Sequence, residues 1–430
     1  MDRRAVKKMA RRSGRATALV AVLALVGACT SGISVAAAAK ATGTPLNVMT
    51  IAPVDYNGPS FGNVLATATV AVDWINAHGG IKGHPLHLTN CDDHGIPTTT
   101  VECGQQAIAE HAVAVVGGFT YNGDAVLPEL QAANIAWFGG AGASGQASET
   151  SPIVFSGSGI GGAGAALVVK AVEDGCKHIA QIDIDLGSAE VGFTNMVATN
   201  SVKALGAPSS DIAKFVTLPL SVTDYSSEVA QATSGTDCIV GDLGADQWAS
   251  FMPAFVSTGA HQRLYGYQGN FDITVTKPFA AATKNAVIAG GYGDISLPAY
   301  ANFRAALKKY KAPTKLNYNS IDGLGGWAAF TSFAQIADGL KGPINNATFL
   351  AAAKKATVDL PGVPVLNYAD KWTGFGGTQA NSVSRSITYD VVQNGVPKPF
   401  DSGKFFDMTN AMLGLHMPKS AIPPATKGKL

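Results

Sequence analysis

From residue 45 onward, short apolar runs alternate with helical stretches, and this alternation constrains the fold more than any other feature of the chain. "LNVMTIAPV" reads as a strand, and "NVLATATVAVDWINAHGG" reads as a helix closed by glycine. "HPLHLTN", "AVAVVGGF", "IAWFGG" and "PIVFSG" follow as short runs separated by helical or loop stretches. A second series then starts with "HIAQIDID" and continues through "AKFVTLPL", "CIVGDL", "RLYGYQG" and "NAVIAGG". Strands alternating with helices form parallel sheets with crossover helices, so two series predict two doubly wound α/β lobes. Helices are expected over 298–311, 321–340 and 345–356. "RSITYDVVQNGVPKPF" then reads as a hairpin turning at Asn394-Gly395. A chain of 430 residues, 47% of them hydrophobic, can bury two ordinary cores.

The N-terminus reads as an export signal. Seven basic residues (Arg3, Arg4, Lys7, Lys8, Arg11, Arg12, Arg15) precede the apolar run Ala16 to Ala28. That run is too short to span a bilayer, which takes roughly 20 apolar residues. Leu25-Val26-Gly27-Ala28-Cys29 resembles the lipobox of a bacterial lipoprotein, which implies cleavage before Cys29 and lipid on its sulfur. Residues 1–28 are therefore the signal peptide, and 29–44 a small, polar tether. The working part is placed outside the cytoplasm, held to the outer face of the cell membrane. The tail 413–430 is expected to stay loose.

Without residues 1–28, 24 basic and 29 acidic residues remain, a net charge near −5. A weakly acidic surface without a basic stripe argues against nucleic acid as a partner. Four cysteines remain, and an even number in an exported chain favours disulfides, although four cysteines allow three pairings. Cys91 and Cys103 are local to one another across a short loop. Cys176 and Cys238 each precede an apolar strand and can be bridged if those strands are neighbours; buried free thiols are the alternative. No CxxC or similar ligand pair supports zinc.

"DWINAHGGIKGHPLHLTNCDDHGIP", "VAVVGGFTYNG" and "IAWFGGAGASG" together resemble the type I periplasmic binding proteins, especially the branched-chain amino-acid-binding group that feeds ABC importers. The resemblance extends over nearly the whole mature chain. It implies two lobes joined by a three-stranded hinge, crossed near residues 157, 290 and 365. The lobes would be 45–157 with 291–365, and 158–290 with 366–412.

Ligands of open parallel sheets sit beyond the carboxyl ends of the strands, where helix N-termini present N–H groups. "GGFTYNGD" at 117–124 and "GGAGASG" at 139–145 occupy that position. Thr120, Tyr121, Asn122 and Ser144 offer hydroxyl and amide groups, and no Lys or Arg is present, which suits a small carboxylate met by neutral donors. The family's carboxylate-holding residues align near Tyr121 and near Ala143 or Ser144. Tyr56, Ser60 and Phe61, in the loop after the first strand, would face the cleft. On the second lobe the family holds the ligand's ammonium with an acidic residue. This chain has Gln268 there, which carries no charge to offset a buried cation. An aromatic residue of the family is replaced in "DIDLGSAEVG", where Asp185, Ser188 and Ala189 stand, and Asp185 could supply the carboxylate. An amide, an organic or aromatic acid, or a short polyol therefore fits as well as a free amino acid.

Rival readings rest on less. "GSGIGG" at 157–162 satisfies the dinucleotide pattern GxGxxG, but "GAGASG" at 140–145 does too, in a chain of 49 glycines. The chain has no GxSxG elbow for a hydrolase. His84 and His87 would point to opposite faces of a strand, and His94 beside Asp92 and Asp93 reads as a solvated turn. An extracellular sensor on the same fold would need a signalling partner. The sequence is thus read as a lipid-anchored solute-binding protein of an ABC importer: no enzyme, no cofactor, no metal, its partners a small-molecule ligand and a permease.

Overall fold

Strands that are apolar along their whole length can be buried only where both sheet faces are covered, and this chain has such strands in two separate sheets. The computed structural model describes residues 41–427 apart from 56–59, 145, 159, 186, 221, 223, 371 and 375–380. The first sheet has six parallel strands in the order Ser382–Ser384, Val154–Ser158, Ala136–Phe138, Ala114–Val116, Leu46–Ala52, Leu86–Asp92. In the second, Val287–Gly290, Arg263–Tyr267, Cys238–Asp242, Ile179–Ile184 and Ile212–Leu218 run parallel. The antiparallel hairpin Ser386–Gln393 and Val396–Pro399 closes its other edge. Ala114–Val116, Ala136–Phe138, Val287–Gly290 and Arg263–Tyr267 are buried at every residue. The fold is α/β, with two doubly wound lobes.

Local chemistry sets the punctuation. The helix Gly62–Ala77 ends before Gly79 and Gly80, whose φ angles of 100° and 66° cost a glycine nothing. The hairpin turns at Asn394 and Gly395 with φ of 53° and 75°, the pair of left-handed residues that a two-residue turn requires. The helices Ile321–Asp338 and Asn346–Ala353 place Phe330, Phe333 and Phe349 in the first core, whereas Tyr265, Tyr267 and Tyr389 belong to one core of the second lobe and Trp248 and Phe271 to another. Trp137 and Trp248 are fully buried.

Three sequence expectations are corrected. The last passage between lobes lies at Arg385, not near residue 365. Ser382 and Ser384 pair with Ser156 and Ser158 of the first sheet and Tyr368 joins the first core, while Trp372 packs against the second, so the backbone changes sheet only after Ser384. The tail is docked as far as it is described. Met417 and Ala421 fill the second core, and the Thr426 amide donates to the buried Asp174 carboxylate. The end of the tether is also held, since Thr42 and Gly43 both donate to the Gly83 carbonyl. Residues 1–40, Cys29 included, lie outside the described residues.

Both disulfides form. Cys91–Cys103 ties the strand Leu86–Asp92 to the helix Pro97–Ala109, with Cα atoms 5.9 Å apart. Cys176–Cys238 joins the starts of two adjacent parallel strands at 6.0 Å. Asp237 lies against this pair but accepts from the Lys177 and His178 amides, and its neighbouring sulfurs are bonded to each other.

Candidate functional site

The two glycine-rich loops of the first lobe are folded onto one another. Gly117 and Gly140 both have φ of 71°, and a Cβ on Gly140 would lie 2.6 Å from the Gly117 carbonyl carbon. A Cβ on Gly118 would lie 2.8 Å from the Ile51 carbonyl oxygen, so only glycine lets this loop close over the first strand. Phe119–Thr120 then pairs in parallel with Gly142–Ala143. Ser144 donates its amide to Thr120, and Gly123 donates to Ser144 as the helix Gly123–Ala132 begins.

This packing brings Thr120, Tyr121, Asn122, Ala143 and Ser144 together and gives them different roles. Thr120 is fully buried and donates its hydroxyl to Asp93 Oδ2. Asn122 donates from its backbone to Thr120 Oγ1 (3.1 Å) and from its side chain to Thr100 Oγ1 (3.0 Å). The expectation that these two offer donors to a ligand is therefore corrected: their polar atoms brace the loop. Their hub is Asp93, which is fully buried and also accepts from the Gly95 amide and the Thr100 hydroxyl, both at 3.0 Å. In the turn read as solvated around His94, His94 and Asp92 are partly exposed and Asp93 alone is buried. An Asp two residues before Gly and seven before a Thr on the next helix was the available signal.

What the loops present outward is aromatic. Phe61 stacks on Phe119 with ring centroids 4.4 Å apart, and Tyr121 meets Phe119 edge-on at 4.8 Å and Phe61 at 5.9 Å. Tyr121 remains 44% exposed, and Phe61 and Phe119 are half-buried. Ser60 and Ser144 are exposed beside Phe61 and the partly buried Ala143 in sequence. Sequence reading missed Phe119, although an apolar ring between a glycine and a threonine in a loop had no core position to fill. Tyr56 lies outside the described residues.

The second lobe is arranged differently from expectation. Asp185 is exposed, and its Oδ1 accepts from the Gly187 amide at 3.2 Å in a turn before the helix Ser188–Ala204. Gln268 is 4% exposed and lies along the strand Val287–Gly290, with its Nε2 donating to the Tyr292 carbonyl at 3.0 Å. It therefore grips the passage between lobes. Its Oε1 is buried and has no hydrogen-bond partner among the described residues.

Among the described residues of the "GSGIGG" stretch, the glycines serve close packing. A Cβ on Gly157 would lie 2.3 Å from the Tyr292 hydroxyl, and one on Gly162 would touch Ile387 at 3.4 Å. These glycines let the chain pass between the sheets and pack the helix Ile160–Glu173 closely. His84 and His94 are likewise occupied, their Nδ1 atoms lying 2.8 Å from the Thr44 and Asp55 carbonyls.

Residues 55–374 match the family described as "Periplasmic binding protein". The chain belongs to this family. Members are binding proteins, not enzymes, which also removes the dinucleotide reading. Among solved structures, this periplasmic binding protein resembles a substrate-binding periplasmic protein from Ralstonia solanacearum, at 18% identity and a TM-score of 0.66. The match covers 82% of this chain and 100% of that one. It also resembles the solute binding protein of an ABC transporter from R. palustris in complex with 4-hydroxybenzoate, at 18% identity and a TM-score of 0.66, covering 84% and 97%. A third is the branched-chain amino acid transporter substrate binding protein of Streptococcus pneumoniae in complex with isoleucine, at 14% identity and a TM-score of 0.63, covering 83% and 98%. No curated protein matches the sequence. No helix among the described residues is long and apolar enough to cross a membrane.

Proposed function

We propose that this periplasmic binding protein captures a small organic acid with an apolar or aromatic body outside the cytoplasm and delivers it to an ABC permease, while lipid on Cys29 holds it at the membrane. The first lobe would comprise 45–157 with 291–384, and the second 158–290 with 385–427. The observation that carries the reading is the half-exposed group Phe61, Phe119 and Tyr121 beside loops that contain no Lys or Arg. Aromatic faces left in water favour an apolar ligand body that covers them. An acid's charge would be met by neutral donors. An amino acid's ammonium would lack a buried carboxylate, because Gln268 is neutral and Asp185 is exposed. Gln268 Oε1, which has no hydrogen-bond partner among the described residues, favours a ligand that also carries a neutral donor, such as a hydroxyl. The 4-hydroxybenzoate complex of one structural relative agrees with that chemistry.

A thermal-shift screen of residues 30–430 against aromatic acids, aliphatic acids, amino acids, amides and sugars tests the proposal. A ligand at 100 times its dissociation constant stabilises by about 2.7 kcal/mol. Shifts confined to acids are expected. Shifts confined to zwitterionic amino acids or to sugars would overturn the ligand class.

A further inference from the structure

The loop Asn317 to Ser320 belongs to the first lobe, since Tyr318 and Ile321 pack on its core, yet it reaches the second. Asn317 Nδ2 donates to Asp272 Oδ2 at 2.6 Å. Asp272 follows Phe271, a fully buried residue of the second lobe's core. The carboxylate is fixed in place, because its Oδ1 caps the helix Ile273–Thr276 by accepting from the Thr274 amide at 2.7 Å. The Asn317 amide is fixed as well: Oδ1 accepts from the Asn319 amide at 2.9 Å, which leaves only Nδ2 to donate.

The loop is braced on its own side. Asn63 donates to the Asn317 carbonyl and to Ser320 Oγ, both at 3.0 Å. Asn319 accepts from the Ile295 amide at 2.8 Å and donates to Asp294 Oδ2 at 2.6 Å, next to the passage between lobes. Gly269, with φ of 94°, sits so close that a Cβ there would lie 2.7 Å from Ser320 Cβ. The second lobe thus docks on a rigid loop through two hydrogen bonds from Asn317 Nδ2, the short one to Asp272 and a longer one of 3.5 Å to the Gly269 carbonyl, and through one glycine contact.

We propose that the Asn317–Asp272 hydrogen bond is an interlobe latch that holds the ligand-free chain closed, apart from the glycine-rich loops at 117–124 and 139–145. Opening must break this bond and expose both groups. A ligand then works against a preset equilibrium, and its apparent affinity scales with the fraction of chains in the binding-competent form.

The test needs no ligand, so it stands or falls separately from the acid-binding reading. Small-angle X-ray scattering of ligand-free residues 30–430 compares the wild type with Asn317→Asp, Asn317→Ala and the exchange Asp272→Asn/Asn317→Asp. Asn317→Asp keeps the oxygen that Asn319 needs but sets a second carboxylate against Asp272. The exchange restores an amide-to-carboxylate bond with the roles reversed, and Asn still offers an oxygen to Thr274. The radius of gyration should rise in both single variants, more in Asn317→Asp, and return to the wild-type value in the exchange. Superimposable curves for wild type and both single variants would overturn the latch, as would an exchange that stays expanded while melting cooperatively.

Discussion

Replacing Asp174 by Ala should unlock the second lobe selectively. The carboxylate has no exposed surface and lies among Lys170, Arg263 at 3.2 Å, the Tyr265 hydroxyl at 3.0 Å and the Thr426 amide. The Lys170 and Arg263 side chains are 0% and 3% exposed, so the substitution takes from two buried cations the carboxylate they share. Breaking a buried pair in this way costs about 3–5 kcal/mol. Lys170 can escape by losing its proton, since burial already pulls its pKa down while Asp174 pushes it up. Arg263 cannot, so the penalty should shrink with rising pH without disappearing. Hydrogen exchange by mass spectrometry separates the lobes. A loss of about 3 kcal/mol is a fall in protection of more than 100-fold in Ile179–Ile184 and Cys238–Asp242, with Ala114–Val116 unchanged. Replacing all three charges with Lys170→Met, Asp174→Leu and Arg263→Met should recover most of the loss. Unchanged protection in Asp174→Ala, or equal loss in both sheets, would refute the reasoning.

Two further outcomes follow from named groups. Asp322 is raised by burial to about 6, opposed by a hydrogen bond from the Asn63 side chain. A carboxyl with a raised folded pKa binds its proton more tightly when folded, so its stabilisation is complete below pH 4 and lost as pH rises through about 6. The stability of wild type minus that of Asp322→Asn should therefore fall by about 2–3 kcal/mol from pH 4 to pH 7, and a flat difference would contradict the burial. Gln268→Ala removes the hydrogen bond to Tyr292 and the buried Oε1. Calorimetric affinity for the bound acid should drop about tenfold, or about 1.4 kcal/mol, with folding retained; unchanged affinity would exclude Gln268 from recognition.

The sheets were legible because strand and helix carry different periods, and the disulfides because adjacent parallel strands bring Cys176 and Cys238 side by side. The last passage between lobes was not, since the three-residue strand Ser382–Ser384 has too little apolar pattern to announce a sheet partner. Within the site, the glycine-rich loops were visible as composition, but which polar atoms they spend on themselves was not. Thr120 and Asn122 look like ligand donors until Asp93 and Thr100, distant by 27 and 22 positions, are seen to use them. Asn317 and Asp272 carried no local signal, because a latch is defined only by the closed pair of lobes.

Isothermal titration calorimetry of residues 30–430, with the acid that gives the largest thermal shift and with its own primary amide, tests the central claim most directly. The two ligands share a body and differ in the group offered to the loops at 117–124 and 139–145. One acid per chain, bound at least tenfold tighter than the amide, is the predicted result. Equal affinity for both, or tighter binding of the amide, would contradict carboxylate capture by this protein.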